Sequence, residues 1–190
     1  MTKSDNPDLD PLFSRVLGQN WDGLPAPVRN MHDIGHRRIA TGLASVERGT
    51  GIAANVIAWL FGFPNAAASI PVQVTFERSG TGEVWTRSFG EASFTTRLDE
   101  QTATTTRAPV VVESFGPLSF ILELRLQHER LYLTPIAWNL FRLPLPIALA
   151  PYGNSYEFSE TGRFAFHIEV NVPLAGLIVC YRGTLHAITM

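Results

Sequence analysis

One segment near the C-terminus alternates between apolar and polar side chains over ten residues. Its apolar positions are Phe164, Phe166, Ile168, Val170 and Val172, and the positions between them include Arg163, His167, Glu169 and Asn171. Side chains on a β-strand point to opposite faces in turn, so this alternation is typical of a strand with one buried face. The chain must therefore build a sheet that hides an apolar face.

The same alternation recurs at residues 70–77 and, most regularly, at residues 118–127. The turn Ser79-Gly80-Thr81-Gly82 predicts a hairpin, and the turn around His128 and Glu129 predicts another. We expect seven to nine strands between about residues 70 and 188, in antiparallel order because no crossover helices separate them. Residues 39–47 are a candidate for an additional early strand.

The N-terminal part predicts two or three short helices. Asp10-Pro11 can begin the first, which Gly18 ends, and residues 24–35 and 52–61 have the spacing of two more. The predicted fold is α+β and mainly β: a strongly curved antiparallel sheet or barrel whose helices cover one end, with a two-sheet sandwich as the alternative.

The predicted organisation is a single domain from residue 11 to residue 190. It divides into a helical segment over about residues 11–64 and a sheet over about residues 70–188. Residues 1–10 are polar and predict a disordered tail.

Composition excludes several classes of protein. The 190 residues are 45% hydrophobic and only 17% charged, and the net charge of -2 offers no basic surface for nucleic acid. The polar start lacks the apolar core of a signal peptide, which predicts a cytoplasmic protein. The apolar run at residues 52–64 is too short to span a bilayer, and the single Cys180 predicts an inert buried thiol.

Residues 143–151 contain three prolines among leucine, isoleucine and alanine. Proline removes the backbone donors that a central strand needs, so this segment predicts an apolar connecting loop. It could form the lip of a pocket, contact a lipid surface, or fold over the open end of its own core.

The order of several short motifs resembles a bacterial family known as domain of unknown function 4166, from about residue 12 to nearly the C-terminus. The motifs are Trp21 with Leu24-Pro25, His32, Val46-Glu47-Arg48-Gly49-Thr50-Gly51, Phe61-Gly62-Phe63-Pro64, Trp85-Thr86-Arg87-Ser88-Phe89, Phe115-Gly116-Pro117-Leu118, Leu143-Pro144-Leu145-Pro146 and Tyr181-Arg182-Gly183. The family occurs alone and joined to short-chain or saccharopine-type oxidoreductases, whose Gly-x-Gly-x-x-Gly turn this chain lacks. The resemblance implies a standalone accessory or binding domain and supplies no catalytic residue.

The strongest local candidate for a ligand site is the row Trp85, Arg87 and Phe89 on one strand face. A cation between two aromatic rings could hold a carboxylate or stack on a planar ring, with Trp138 and Tyr181 lining or flanking the site. The alternative is a guanidinium that only packs between aromatics or pairs with a carboxylate such as Glu77.

Candidate proton-transfer residues are His167, Glu169 and Glu123, on the polar faces of two strongly alternating strands. The alternative places them on the solvent side of the sheet, where ion pairs contribute little. No Gly-x-Ser-x-Gly elbow is present.

Two further motifs are weak, so we predict neither a metal site nor a cofactor. His32 and His36 are four residues apart but lack a third ligand, so a structural His32 and a solvated His36 are expected. The glycines of the Gly49-Thr50-Gly51 stretch predict a helix entry, because the Gly-Lys-Ser/Thr ending of a phosphate loop is absent.

Three hypotheses for function follow. The first is a nonenzymatic binding or accessory domain that encloses a hydrophobic small molecule or acyl chain. The second is a cofactor-free isomerase, cyclase or hydrolase that uses the same cavity, and the third is an interaction module for an oxidoreductase or a membrane partner.

Overall fold

The computed structural model describes residues 10–101 and 108–188, and these form one antiparallel sheet of eleven strands with three short helices. The helices are α1 (Leu12–Leu17), α2 (Ala26–His32) and α3 (Ile52–Leu60), and the 3-10 segments are Gly18–Gly23 and Ile147–Leu149. The strands are β1 (Arg37–Arg48), β2 (Ala67–Ser79), β3 (Gly82–Phe89), β4 (Ala92–Glu100), β5 (Val110–Phe115), β6 (Leu118–Gln127), β7 (Arg130–Leu140), β8 (Leu143–Leu145), β9 (Tyr156–Glu160), β10 (Arg163–Val172) and β11 (Gly176–Ile188).

Ten of the strands close into a barrel. Their order is β6-β5-β4-β3-β2-β1-β11-β10-β9-β7, and β6 pairs again with β7 to complete the ring. The short β8 pairs only with the last residues of β7, on the edge whose first residues pair with β9. The predicted mainly β antiparallel barrel with short helices is confirmed, and the sandwich is excluded because the sheet is closed. Closure removes the unpaired edges that an open sheet would expose.

The predicted count of seven to nine strands is too low. The sheet begins at Arg37 rather than near residue 70, because the early candidate strand is real and pairs with both β2 and β11. The inner face of β1 carries small residues such as Ala40, Gly42 and Ala44, so its alternation in hydrophobicity is weak. The three-residue β8 lies in the proline-rich segment that was expected to be a loop.

Helices α1 and α2 close one end of the barrel, which we call the floor. Phe13 on α1 and His32 on α2 have no exposed surface, and their rings stack with centroids 3.9 Å apart. Both rings also stack on Trp85 of β3, at 5.7 and 5.4 Å. The rings of Phe13 and His32, which we call the plug, thus close the floor against Trp85. The sequence predicted that helices cover one end of the barrel, and α1 and α2 do so here.

The opposite end of the barrel, which we call the mouth, is formed by five connections. They are residues 49–66, 90–91, 116–117, 141–155 and 173–175. Helix α3 lies in the first and packs Ala54 and Ala58 against Ile178 at the start of β11. The fourth passes beside β10, where Tyr152 and Asn171 exchange backbone hydrogen bonds of 2.9 and 2.7 Å.

The strand β10 shows how the interior divides along the barrel. Phe164 and Phe166 are buried in the core nearer the floor, whereas Ile168, Val170 and Val172 border empty space nearer the mouth. The apolar face that the alternation predicted is therefore scaffold at one end of the strand and cavity wall at the other.

The predicted disordered tail falls almost entirely on residues 1–9, which lie outside the described part of the chain. Within residues 10–101 and 108–188, each of the helices is too short or too polar to cross a bilayer.

Candidate functional site: a cavity inside the barrel

A cavity of about 320 Å³ occupies the mouth half of the barrel and is open on one side. Its lining comes from α3 and its loop, from eight strands and from the 141–155 connection. The residues that border it include Phe61, Phe63, Trp85, Arg87, Phe94, Thr96, Glu113, Phe115, Phe120, Leu122, Leu133, Trp138, Leu149, Tyr152, Glu157, Ile168, Val170 and Tyr181.

The wall beneath α3 is aromatic. Phe63, Phe94 and Phe115 meet with ring centroids between 5.3 and 5.9 Å apart, and Phe61 lies 5.0 Å from Phe115. Rings at these separations in edge-on and tilted orientations pack favourably and keep a fixed shape. This wall is a preformed apolar surface.

Arg87 is the main polar group on the wall. Its Nη1 donates to Thr96 Oγ1 at 2.7 Å and its Nη2 to Glu113 Oε1 at 3.4 Å. The guanidinium carbon lies 5.0 Å from the Trp85 ring centroid and 5.6 Å from that of Phe94. Arg87 therefore lies by Trp85 and Phe94 rather than between Trp85 and Phe89. It also has a carboxylate partner, as the alternative expected, but this is Glu113 rather than Glu77, which pairs with Arg37.

The cavity reaches a buried hydrogen-bonded pair at its inner end. Glu157 of β9 borders the cavity, and its Oε2 lies 2.5 Å from Nε2 of His32. His32 Nδ1 has no hydrogen-bond partner within the described ranges. A neutral imidazole protonated on Nε2 fits this geometry, because a proton on Nδ1 would be a buried unsatisfied donor.

A second buried carboxylate lies behind this pair. Glu83 accepts hydrogen bonds from Trp85 Nε1 at 2.8 Å and from the backbone N–H of Leu12 at 3.3 Å. Burial raises the pKa of Glu83, and these hydrogen bonds oppose the shift in part. Glu83 joins the first turn of α1 to β3, so its role is to hold the floor.

Tyr181 of β11 borders the cavity opposite β3 and β4. Its ring lies 5.1 Å from Phe89 and 6.4 Å from Phe94, between centroids. Burial raises the pKa of Tyr181 to about 12, so its hydroxyl keeps its proton at physiological pH and can donate a hydrogen bond.

Four of the five predicted ligand-binding residues border this cavity: Trp85, Arg87, Trp138 and Tyr181. Phe89 shares their inward face but lies outside the cavity lining. It borders a separate void of about 40 Å³ and packs against Phe94 and Tyr181, so its position is that of a core residue.

The three predicted proton-transfer residues are placed differently. Glu123 pairs with Arg125 at 3.1 Å on the outer face of β6. His167 stacks on Tyr156 at 5.1 Å outside the barrel, with its Nε2 3.8 Å from Glu169 Oε2 and 4.0 Å from Cys180 Sγ. Glu169 borders the cavity, but its Oε1 accepts a hydrogen bond from Asn171 at 2.7 Å.

The proline-rich segment forms part of the cavity rim. Leu149 and Pro151 border the cavity, and Trp138 Nε1 donates to the carbonyl oxygen of Pro146 at 3.0 Å. His36 is exposed, as expected. In the described residues no three His, Cys, Asp or Glu side chains gather closely enough to hold a metal ion.

Sequence reasoning missed Glu113 and Glu157, which point inward. Neither carboxylate points outward as polar residues of a strand usually do: Glu157 stands between Tyr156 and Phe158, whose rings are tilted to each other on the outside with centroids 5.5 Å apart. The available signal was the order aromatic, acidic, aromatic. Neighbouring side chains on a strand point to opposite faces, so here either the carboxylate faces inward or the two aromatic rings face outward, and both are unusual.

Comparison with protein families gives one match. The family model described as domain of unknown function DUF4166 matches residues 24–185, which is most of the chain. Neither the curated proteins nor the solved structures include a match to this sequence.

Proposed function

The chain belongs to the DUF4166 family, and for it we propose the binding of a hydrophobic small molecule or acyl chain in the barrel cavity. The observation that carries this proposal is the apolar, aromatic-walled cavity with a few polar groups on its wall. Ligand sites in proteins commonly have this composition, with a few polar atoms that fix orientation. The cytoplasmic location expected from the sequence remains a prediction.

The size of the cavity restricts the ligand. A volume of about 320 Å³ is at the lower end of the roughly 300–1,000 Å³ usual for small-molecule pockets. A compact ring system fits inside, and a longer acyl chain must extend through the mouth. The exposed apolar residues around the mouth support the second arrangement.

The polar groups favour a neutral head group. Arg87 already faces Glu113, and Glu157 adds a second carboxylate to the lining, so the cavity has no excess positive charge. A hydroxyl or carbonyl can accept from Arg87 or Tyr181 and, if it is a hydroxyl, donate to Glu113. The proposed ligand therefore has an uncharged head group that forms hydrogen bonds, rather than the acidic head group expected from the sequence.

The test is binding of the neutral fluorescent probe N-phenyl-1-naphthylamine, together with mass spectrometry of lipids extracted from the purified protein. Leu133→Trp fills the cavity, and we expect it to lower probe affinity at least tenfold. Thr134→Trp places the same ring on the outer face of the same strand and serves as the control. Equal probe binding by both variants and the parent protein would contradict the proposal.

A second candidate function has one specific observation in its favour. Glu157 borders the apolar cavity and is held by His32, which is an arrangement suited to a general base. The isomerase alternative therefore depends on Glu157 rather than on His167 and Glu123, whose side chains lie on the outer face. With a ligand identified, incubation in D₂O tests it: deuterium enters the ligand with the parent protein and not with Glu157→Gln.

A further inference from the structure

Large apolar side chains on the surface are concentrated at one end of the molecule. Thirteen such residues are exposed in the described chain, and ten of them lie in the five mouth connections. The ten are Ile52, Val56, Trp59, Leu60, Phe141, Leu143, Ile147, Leu149, Tyr152 and Leu174. We call this set the mouth ring.

The ring is contributed by three separate connections. Trp59 on α3 is 79% exposed, Phe141 in the turn between β7 and β8 is 74% exposed, and Leu174 in the turn between β10 and β11 is completely exposed. Because these connections all leave the same end of the barrel, their tips face one direction. Exposed apolar clusters of this kind mark interaction sites.

Charge is almost absent from this end. In the five mouth connections the only charged residues are Glu91 and Arg142. Arg142 stands between Phe141 and Leu143, at a tip of the mouth ring. The floor, in contrast, carries many charges: Asp10, Arg15, Asp22, Arg29, Asp33, Glu129 and Arg163 lie in or beside its helices and turns.

We infer that the mouth ring docks on the surface of a lipid bilayer, with the barrel axis roughly along the membrane normal. The inference rests on the proposed function, since a ligand that enters from the acyl region would pass directly from the bilayer into the open cavity. Tryptophan, tyrosine and aliphatic side chains with a nearby cation form the usual composition of a membrane-surface contact. Arg142 matches the negative charge of anionic head groups.

The charge distribution favours a bilayer over a protein partner. A protein interface of this kind usually has a polar rim around an apolar centre. Here the apolar residues of three neighbouring connections border the open cavity, and Leu149 and Tyr152 belong to both, so a protein partner would cover a void beside the contact. A fluid bilayer can fill that void with acyl chains.

Sedimentation with vesicles tests the inference. The vesicles are phosphatidylcholine alone, and phosphatidylcholine with one third phosphatidylglycerol. We expect binding to both, stronger to the anionic mixture, and a loss of at least tenfold in partition coefficient for the double variant Trp59→Ser/Leu174→Ser. Arg142→Gln should remove only the preference for the anionic mixture.

A matched control comes from exposed apolar residues outside the ring. Leu43 and Ile188 lie on strands β1 and β11 and are exposed to 58% and 44%, so Leu43→Ser/Ile188→Ser should retain vesicle binding. Equal loss in both double variants would overturn the inference. So would the absence of vesicle binding by the parent protein, and a dimer in sedimentation velocity that only the ring variant dissociates would then assign the mouth ring to a second copy of the chain.

The two proposals fail separately. The ring variant should still bind N-phenyl-1-naphthylamine in solution, because its substitutions lie outside the inner cavity. The cavity-filling Leu133→Trp should still sediment with vesicles. A parent protein that sediments with vesicles but does not bind the probe contradicts the cavity function alone, and a parent protein that binds the probe but does not sediment contradicts the docking surface alone.

Discussion

Nε2 of His32 lies 2.5 Å from Oε2 of Glu157, and this contact joins helix α2 to strand β9 across 125 residues of sequence. Both side chains are almost completely buried. Removing one member of a buried pair leaves the other without a partner in a poorly hydrated place, which costs more than the pair itself contributes. The contact therefore fixes the plug to the barrel.

The first prediction concerns this pair. His32→Phe keeps a ring for stacking on Phe13 but leaves Glu157 unpaired, and we expect it to lower the free energy of unfolding by about 3–5 kcal/mol. The double variant His32→Phe/Glu157→Leu should recover a substantial part of that loss, because it no longer contains the unpaired carboxylate. Urea unfolding of the two single variants and the double variant measures the coupling.

The control for this cycle is the exposed pair of Glu123 and Arg125, whose N–O distance is 3.1 Å. Its disruption by Glu123→Leu should cost at most about 1 kcal/mol. If His32→Phe costs no more than this control, the buried pair does not anchor the plug.

The second prediction is a pH dependence that originates at Glu83. Burial raises the pKa of this carboxyl in the folded state above its unfolded value. The folded protein therefore binds the proton more tightly, so the contribution of Glu83 to stability is most favourable at low pH and falls as pH rises from the unfolded pKa through the folded one.

The variant Glu83→Gln isolates this effect because glutamine does not titrate. We expect the stability difference between the parent and Glu83→Gln to shift in favour of the parent on acidification from pH 8 to pH 5. Urea unfolding at a series of pH values gives this difference. A difference independent of pH would mean that Glu83 has its ordinary pKa in the fold.

The third prediction concerns the close approach of β1 and β11. A Cβ added at Gly42 would overlap the carbonyl oxygen of Thr184, which belongs to the backbone and cannot move independently. Gly42→Ala should therefore lower the free energy of unfolding by about 1–3 kcal/mol or more, as overpacking does. Thermal unfolding measures the change.

Gly51 provides the comparison for Gly42. It precedes α3 with φ of -68°, and no atom lies within 4 Å of a Cβ added there. Gly51→Ala should be neutral or stabilise the protein by up to about 1 kcal/mol, because alanine narrows the unfolded ensemble. Similar destabilisation at both glycines would show that strand spacing is not the cause.

The fourth prediction uses Glu113 to alter head-group preference. Glu113→Gln leaves Arg87 without its carboxylate at 3.4 Å, so the cavity wall gains positive charge. We expect affinity for a fatty acid to rise about tenfold relative to the alcohol of equal chain length, which is about 1.4 kcal/mol. Competition against N-phenyl-1-naphthylamine measures both affinities.

The reverse control is Arg87→Met, which removes the cation and leaves the Glu113 carboxylate, so it should lower affinity for the fatty acid more than for the alcohol. If Glu113→Gln leaves the ratio of the two affinities unchanged, Arg87 does not contact the head group.

Alternation of side chains was sufficient to predict the antiparallel sheet and the direction in which β10 faces. Phe164, Phe166 and Ile168 all point inward because the period of two is a property of the backbone itself. The closure between β6 and β7 follows from the same physics only in part, since many alternating strands can form either a barrel or a sandwich. Whether β6 pairs with β7 to close the barrel depends on the arrangement of all the strands.

The candidate site was partly predictable for a related reason. Trp85 and Arg87 stand out because an arginine on an aromatic face conflicts with the simple pattern. Glu113 does not stand out, because an acidic residue in a strand usually faces solvent. The aromatic neighbours of Glu157 signal only an unusual face, and the pairing of distant elements gives each carboxylate its partner. A position on the inner face and a partner far along the chain are two facts that local sequence does not contain.

The strand β8 has a consequence for contact between neighbouring molecules. It extends the sheet beyond the closed ring, so its outer edge faces no further strand among the residues described. Pro144 lies within this strand and Pro146 follows it, and a residue without an N–H cannot donate to an added strand. Each proline removes one donor where a neighbouring molecule could extend the sheet, so the chain can keep its apolar mouth exposed with less risk of growing into an aggregate.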